Sequence, residues 1–235
     1  MALKRGAKMS WFVSYYRTTV GKKVVMAVTG ILLFLFVLGH MAGNLQIFMG
    51  KDQLNAYAAA LHSQSFAPIL WTVRVVMGLS LILHVVASIQ LTVHSWNSRP
   101  QKYAKIRYRE ADIAARTMIL SGPIIAFFLI YHILQLTTGN IQPSGEFALQ
   151  ASGAPDAYTN VVAGFQVWWV SLGYIVAVIL LGFHFYHGLW SWTQTLGWDH
   201  PKWNGLRRGL ATFFCVAIVI GDIAIPLAVL AGWIK

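Results

Sequence analysis

The sequence predicts an all-α integral membrane protein: a five-transmembrane-helix bundle forming a single membrane domain over residues 1–235. Three observations carry this. Of the 235 residues, 57% are hydrophobic and 11% charged, with a mean hydropathy of +0.59, whereas soluble domains carry about a quarter charged residues. Five apolar segments each reach the roughly 20 residues a helix needs to cross a hydrocarbon core of ~30 Å. The 18 Lys and Arg, against 7 Asp and Glu, sit between those segments, which is how membrane proteins encode orientation. An ordinary cytoplasmic globule and a nucleic-acid-binding tail are both excluded. Cys215, the single cysteine, lies inside an apolar segment, which excludes a disulfide framework and Cys-based zinc or iron–sulfur sites.

In chain order, residues 1–23 are expected to form a cytoplasmic segment with Trp11, Phe12, Tyr15 and Tyr16 among its cations. This pattern fits an interfacial helix on the inner leaflet or a simple aromatic belt. The first span covers about 24–48; its apolar run is too long for a signal peptide and no small-residue cleavage pattern follows. The others cover about 69–92, 114–136, 167–192 and 209–234. None alternates as barrel strands do, and no internal repeat is present. The connection 137–166, rich in Gly, Ser, Pro and Ala and carrying Glu146 and Asp156, reads as an irregular external loop able to cover the outer mouth of the bundle.

Loop charges set the expected orientation. Lys4, Arg5, Lys8, Arg17, Lys22 and Lys23 precede the first span. Arg99, Lys102, Lys105, Arg107, Arg109 and Arg116 join the second to the third, and Lys202, Arg207 and Arg208 join the fourth to the fifth. The other side has Lys51 and Lys235, with Arg74 just inside the second span. The positive-inside rule then puts the N-terminus in the cytoplasm and the C-terminus outside a bacterial cytoplasmic membrane.

Four of the eight histidines lie deep within spans, each on a different one: His40, His84, His132 and His184. An ionisable side chain at that depth is costly and functional by default. His40 is 18 residues beyond Lys22, and His132 is 18 beyond Ala114. His84 is 12 short of Trp96, and His184 is 12 short of Leu196. At a rise of ~1.5 Å per residue, His40 and His132 lie ~27 Å from the inner edge and His84 and His184 lie ~18 Å from it. Two pairs at two depths, each drawn from two helices, is the arrangement that holds two planar macrocycles between helices, each iron gripped by two imidazoles. A zinc site would need three or four ligands at one depth; a histidine proton relay would need no pairing. Gly39 and Gly43 around His40, Gly78 before His84, Gly122 in the third span, and Gly182 and Gly188 around His184 would let a flat ring approach, although small residues also serve ordinary helix packing.

His40 in "LGHMAGNL" and His184 in "FHFYHGLWSWTQTLGW", with a deep histidine in each of the first four spans, resemble the dihaem cytochrome b membrane anchor of succinate dehydrogenases and fumarate reductases. The resemblance runs from about Trp11 to the end. It implies two haem b groups, with His84 and His184 as axial ligands of the proximal haem and His40 and His132 as those of the distal one. It also implies a quinone, menaquinone in many members, as substrate, and a flavoprotein and an iron–sulfur subunit docked on the cytoplasmic face. Electrons would pass between the iron–sulfur subunit and membrane quinone in the succinate:quinone oxidoreductase (complex II). The chain carries no flavin or dicarboxylate motif, so the dehydrogenase chemistry belongs to those partners. Its basic inner face suits both docking and anionic membrane lipid. His184, not His187, matches the ligand position, four residues before Gly188. His187, a turn nearer the cytoplasm, would bond a haem propionate or make a plain hydrogen bond.

Arg74, ten residues outward of His84, would meet a propionate or a quinone oxygen, or snorkel to the interface. Asp222, in the fifth span, needs a partner helix or a proton path. His62, His94 and His200 are surface or interface residues. Some fumarate-reducing relatives have a Glu two residues before the fourth-span ligand where this chain has Gly182. For the acidic quinone-site residue after the first span, Asp52, His62 and Gln64 are the candidates. A fumarate reductase anchor, the bis-His cytochrome b anchor of a hydrogenase or formate dehydrogenase, and a small proton-coupled transporter are the alternatives. The hydrogenase or formate dehydrogenase anchor is separated by its co-purifying subunits, and the transporter by the absence of haem.

Overall fold

The structure, a computed structural model, describes residues 11–99, 101 and 111–235. The cations Lys4, Arg5, Lys8, Lys102, Lys105, Arg107 and Arg109 lie outside the described residues. Among the described residues there are helices and turns and no strand. Five helical segments are long and apolar enough to cross a membrane: Thr19–Met49, Ala67–Asn97, Ile113–Thr137, Trp168–Thr195 and Pro201–Leu230.

The first span begins earlier than its apolar run. Helix α1 (Trp11–Tyr16) is followed at once by α2 (Thr19–Asn44), whose N-cap Thr18 accepts a hydrogen bond from the Gly21 N–H at 2.9 Å and so satisfies an orphan donor of the first turn. Lys22 and Lys23 therefore belong to α2 and not to the interfacial segment. A Cβ on Gly21 would lie 2.0 Å from the Tyr15 carbonyl oxygen, so only glycine lets α1 fold against α2. At the other end of the chain the expected span 209–234 is displaced. Helix α8 (Asn204–Leu230) takes Arg207 and Arg208 into its start and stops where Gly232, at φ 72°, reverses the chain.

Between these lie α3 (Lys51–His62), α4 (Ala67–Asn97), α5 (Ile113–His132) running into a π-helical turn Ile133–Thr137, α6 (Ala157–Gln166) and α7 (Trp168–Thr195). Helix α7 is the centre: it packs on α2, α5 and α8, and α2 in turn packs on α4. In the most apolar window of α7, 39% of residues are buried, against 6% in α4 and in α5, so those two face outward. Hydrocarbon offers no hydrophobic drive for this packing, and close contact across small residues supplies it instead. Gly182 of α7 sits against Val219 of α8, and Gly221 of α8 against Met41 of α2. Helices α2 and α5 do not pack closely on each other, nor do α4 and α7. Those are the two helix pairs that carry the deep histidines.

One end of the bundle, here the basic end, carries Arg17, Lys22, Lys23, Arg99, Arg116, Lys202, Arg207 and Arg208 among the described residues. The other, the loop end, carries Lys51 and Lys235. Exposed tryptophans ring both: Trp96, Trp198 and Trp203 at the basic end, and Trp71, Trp168, Trp169 and Trp233 at the loop end. Two such belts mark the two interfaces of a membrane.

The connection 137–166 is not wholly irregular, as its composition suggests, because Asp156 starts a helix in it. Its carboxylate accepts from the Thr159 N–H at 3.0 Å, and α6 follows. The preceding connection holds α3, which packs on α6 over the loop end. Asp156 is the knot between them, accepting from Asn55 Nδ2 at 2.8 Å and pairing with Lys51 Nζ at 3.0 Å.

Candidate functional site

The four deep histidines meet in two pairs. The His84 and His184 ring centroids are 6.2 Å apart with an interplanar angle of 54°, and those of His40 and His132 are 5.8 Å apart at 89°. These are the pairs that the depth count groups. They stand at two levels: His84 beside Met26 and Thr29 in the first half of α2, His132 beside Tyr174 near the start of α7. No hydrogen bond joins the rings of either pair.

Each ring is fixed by what its other atoms touch. The His84 Nδ1–H donates to the Met26 carbonyl at 3.1 Å, with Thr29 Oγ1 at 3.3 Å. Gly30 admits that ring, since a Cβ there would lie 3.1 Å from His84 Cε1. His184 Nδ1 lies 3.5 Å from Ser121 Oγ, a buried hydroxyl about two turns into α5. His132 Nδ1 lies 3.3 Å from the Tyr174 hydroxyl. His40 stacks on Phe36 of its own helix at 5.6 Å and 14°. Three of the four thus bring Nδ1 against a neighbouring helix, and for His84 the Met26 carbonyl fixes the proton on Nδ1 and leaves Nε2 as the nitrogen available for a metal; metal-bound histidines are held in this way by their second nitrogen.

The separations can be tested against a bis-imidazole metal centre. A metal–nitrogen bond of about 2 Å plus about 1 Å from nitrogen to ring centre, taken twice, spans about 6 Å. Both pairs fit that span, and both stand between helices that are themselves held apart. Three or four ligands, as zinc requires, do not gather anywhere among the described residues.

The other candidates are placed as follows. His187, with Lys23, Ser191 and Gln194, lines a cleft of 480 Å³ between the basic ends of α2 and α7, floored by Val20 and Met26. Arg74 packs its guanidinium over Trp71 at 5.1 Å, toward the loop end. Asp52, His62 and Gln64 are exposed; the His62 Nδ1–H donates to the Ala58 carbonyl at the end of α3. His200 accepts from the Lys202 N–H as a helix cap, and His94 is exposed near the end of α4. Asp222 is half-buried on α8 beside the Gly221–Met41 contact.

The glycines divide by role. Gly43 sits against Tyr57 and Gly182 against Val219, so these two serve packing and not the approach of a ring, because their missing side chains are already filled. Gly39, Gly78, Gly122 and Gly188 have no neighbouring atom within 4 Å of where a Cβ would lie. Residues 190–199 are built around Arg207. Its guanidinium donates to Thr193 Oγ1 at 2.9 Å and to the Trp198 carbonyl at 3.0 Å, pairs with Asp199, and lies over the Trp190 ring at 4.9 Å. Thr29 and Ser121 have no sequence signature, since Ser and Thr in spans ordinarily bond their own backbone, and no spacing rule links Tyr174 or Gln135 to His132.

No family model, curated protein or solved structure matches this chain.

Proposed function

We propose that this chain is the membrane-anchor cytochrome b subunit of a succinate:quinone oxidoreductase, with His84/His184 and His40/His132 as the axial ligand pairs of two haem b groups. The observation that carries the reading is the meeting of four intramembrane imidazoles in two pairs about 6 Å apart, three of them with Nδ1 engaged. Haem iron, when bound, supplies one-electron transfer between a partner's iron–sulfur subunit and a membrane quinone. The chain's own work is positional. Met26, Thr29, Ser121 and Tyr174 orient the imidazoles. The cleft at His187 offers Lys23, Ser191 and Gln194 as donors to a carboxylate or quinone oxygen at the basic end. The cations there, on the side expected to face the cytoplasm, suit the docking of a flavoprotein and an iron–sulfur subunit.

The test is a haem assay on the purified complex, with co-purifying subunits identified by mass. Two low-spin haem b per chain, with a flavoprotein and an iron–sulfur protein, is the expected result. One haem or none would overturn the paired ligation; hydrogenase or formate dehydrogenase subunits would overturn the assignment of the complex.

A further inference from the structure

At the loop end the bundle buries a polar chain that packing alone does not require. Tyr174 is 6% exposed and Gln135 1%, and polar groups at such depth persist only with partners. The Tyr174 hydroxyl donates to Gln135 Oε1 at 3.0 Å. A phenol has one hydrogen to give. Having given it, the oxygen can only accept from His132 Nδ1, 3.3 Å away. With the Gln135 amide in this orientation, the proton of His132 sits on Nδ1.

Gln135 is itself seated from two sides. It lies in the π-helical turn that follows His132 directly, where the Thr138 N–H reaches back to the Ile133 carbonyl at 2.9 Å, a kind of turn frequent at functional sites. Its backbone carbonyl accepts from Gln142 Nε2 at 2.8 Å, which ties the turn and not the side-chain amide. Its amide lies across Gly164 of α6, where a Cβ would stand 2.5 Å from Nε2.

We propose that Tyr174 and Gln135 are positioning residues, seated on Gly164, that hold His132 in its Nδ1-protonated tautomer and so keep Nε2 free to bind a metal. The use of that tautomer rests on the ligand reading above; the tautomer itself belongs to the chain alone. The opposing arrangement is specific. Gln135 Nε2 has no hydrogen-bond partner where it lies. With the amide reversed, Gln135 would donate to Tyr174, Tyr174 to His132, and the ring proton would move to Nε2, where it blocks ligation.

The experiment is nitrogen-15 NMR of histidine-labelled protein in lipid bilayers, without haem, the His132 signal being assigned by its loss in His132→Gln. Wild type should show the Nδ1–H tautomer. Tyr174→Phe and Gln135→Met should each lose roughly 3- to 10-fold of that preference, the worth of one hydrogen bond. Gly164→Ala, which leaves both polar groups in place but crowds the amide, should move the same way. An Nε2–H signal in wild type, or an unchanged tautomer in Tyr174→Phe and Gln135→Met, overturns the proposal. In the haem-loaded complex, Tyr174→Phe should raise the midpoint potential of one b component and leave the other, because a weaker acceptor at Nδ1 lowers ligand basicity. Two unshifted potentials would also overturn it. A wild-type complex without haem would instead overturn the ligand reading and leave the tautomer result standing.

Discussion

An alanine cannot replace an axial imidazole, so the two pairs make a prediction at the scale of single residues. Under the proposed ligation, His84→Ala and His184→Ala should each abolish the same b-type component in a redox titration, and His40→Ala and His132→Ala should each abolish the other. His187→Ala should retain both, with at most a shifted potential, since its ring lines the cleft at the basic end and stands in neither pair. Loss of the same component in His40→Ala and His84→Ala would break the pairing. The histidines were legible in the sequence because a titratable ring among valines and leucines is conspicuous, and a constant rise per residue converts its position into depth. Their partners were not. Thr29 also donates to the Val25 carbonyl of its own helix at 2.7 Å, the ordinary habit of a threonine in a span, and nothing in its spacing announces that a second-span histidine lies against it. Gly30 was equally silent, because its role is set by the rotamer of a ring 54 residues away.

At the scale of elements, the five spans were readable from hydropathy, whereas α3 and α6 were not. Both are short, and the residues that make them pack are polar. Burial costs the Asp156 carboxylate part of its ionisation, but hydrogen bonds from the Thr159 N–H, Asn55 and Lys51 outweigh it and hold the group down at about 2. A carboxylate whose folded value lies below its unfolded one stabilises the fold above the unfolded value near 4, and loses that contribution as pH falls toward 2. The contribution is about 1–2 kcal/mol, discounted because Lys51 is half exposed. Thermal unfolding of the detergent-solubilised protein should therefore show a loop end that weakens between pH 4 and pH 2. Asp156→Ala should flatten that dependence and cost about 1–3 kcal/mol at neutral pH, since it removes the N-cap of α6 and leaves buried Asn55 Nδ2 without its acceptor. Asp156→Asn keeps the cap and should cost less. Hydrogen exchange confined to α3 and α6 would locate the loss; a uniform loss across the bundle would show that the knot does not act locally.

For the whole molecule, the unequal distribution of cations governs how the bundle sits in a membrane. By sequence, fifteen Lys and Arg lie before the first apolar run, between the second and third, or between the fourth and fifth, and two lie in the alternate connections and the C-terminus, a bias of the kind that sets topology. The same bias decides whether the proposed partners can dock, because the basic end and the cleft at His187 must face the compartment that holds the dehydrogenase subunits. The native thiol is a convenient background for testing this: Cys215 is buried in α8, so an impermeant maleimide reports only an introduced cysteine. Ala151→Cys places a thiol on the exposed loop before α6, and Ser98→Cys places one at the exposed end of α4. In intact cells Ala151→Cys should label at once, and Ser98→Cys only after the membrane is opened. Both variants leave the histidine pairs and the Asp156 knot untouched, so each should retain any haem the wild type holds, and labelling and haem content can be read on one sample. The reverse pattern, with Ser98→Cys labelled from outside, would set the basic end away from the cytoplasm. It would remove the docking half of the proposed function while leaving the two imidazole pairs, which do not depend on which way the bundle points.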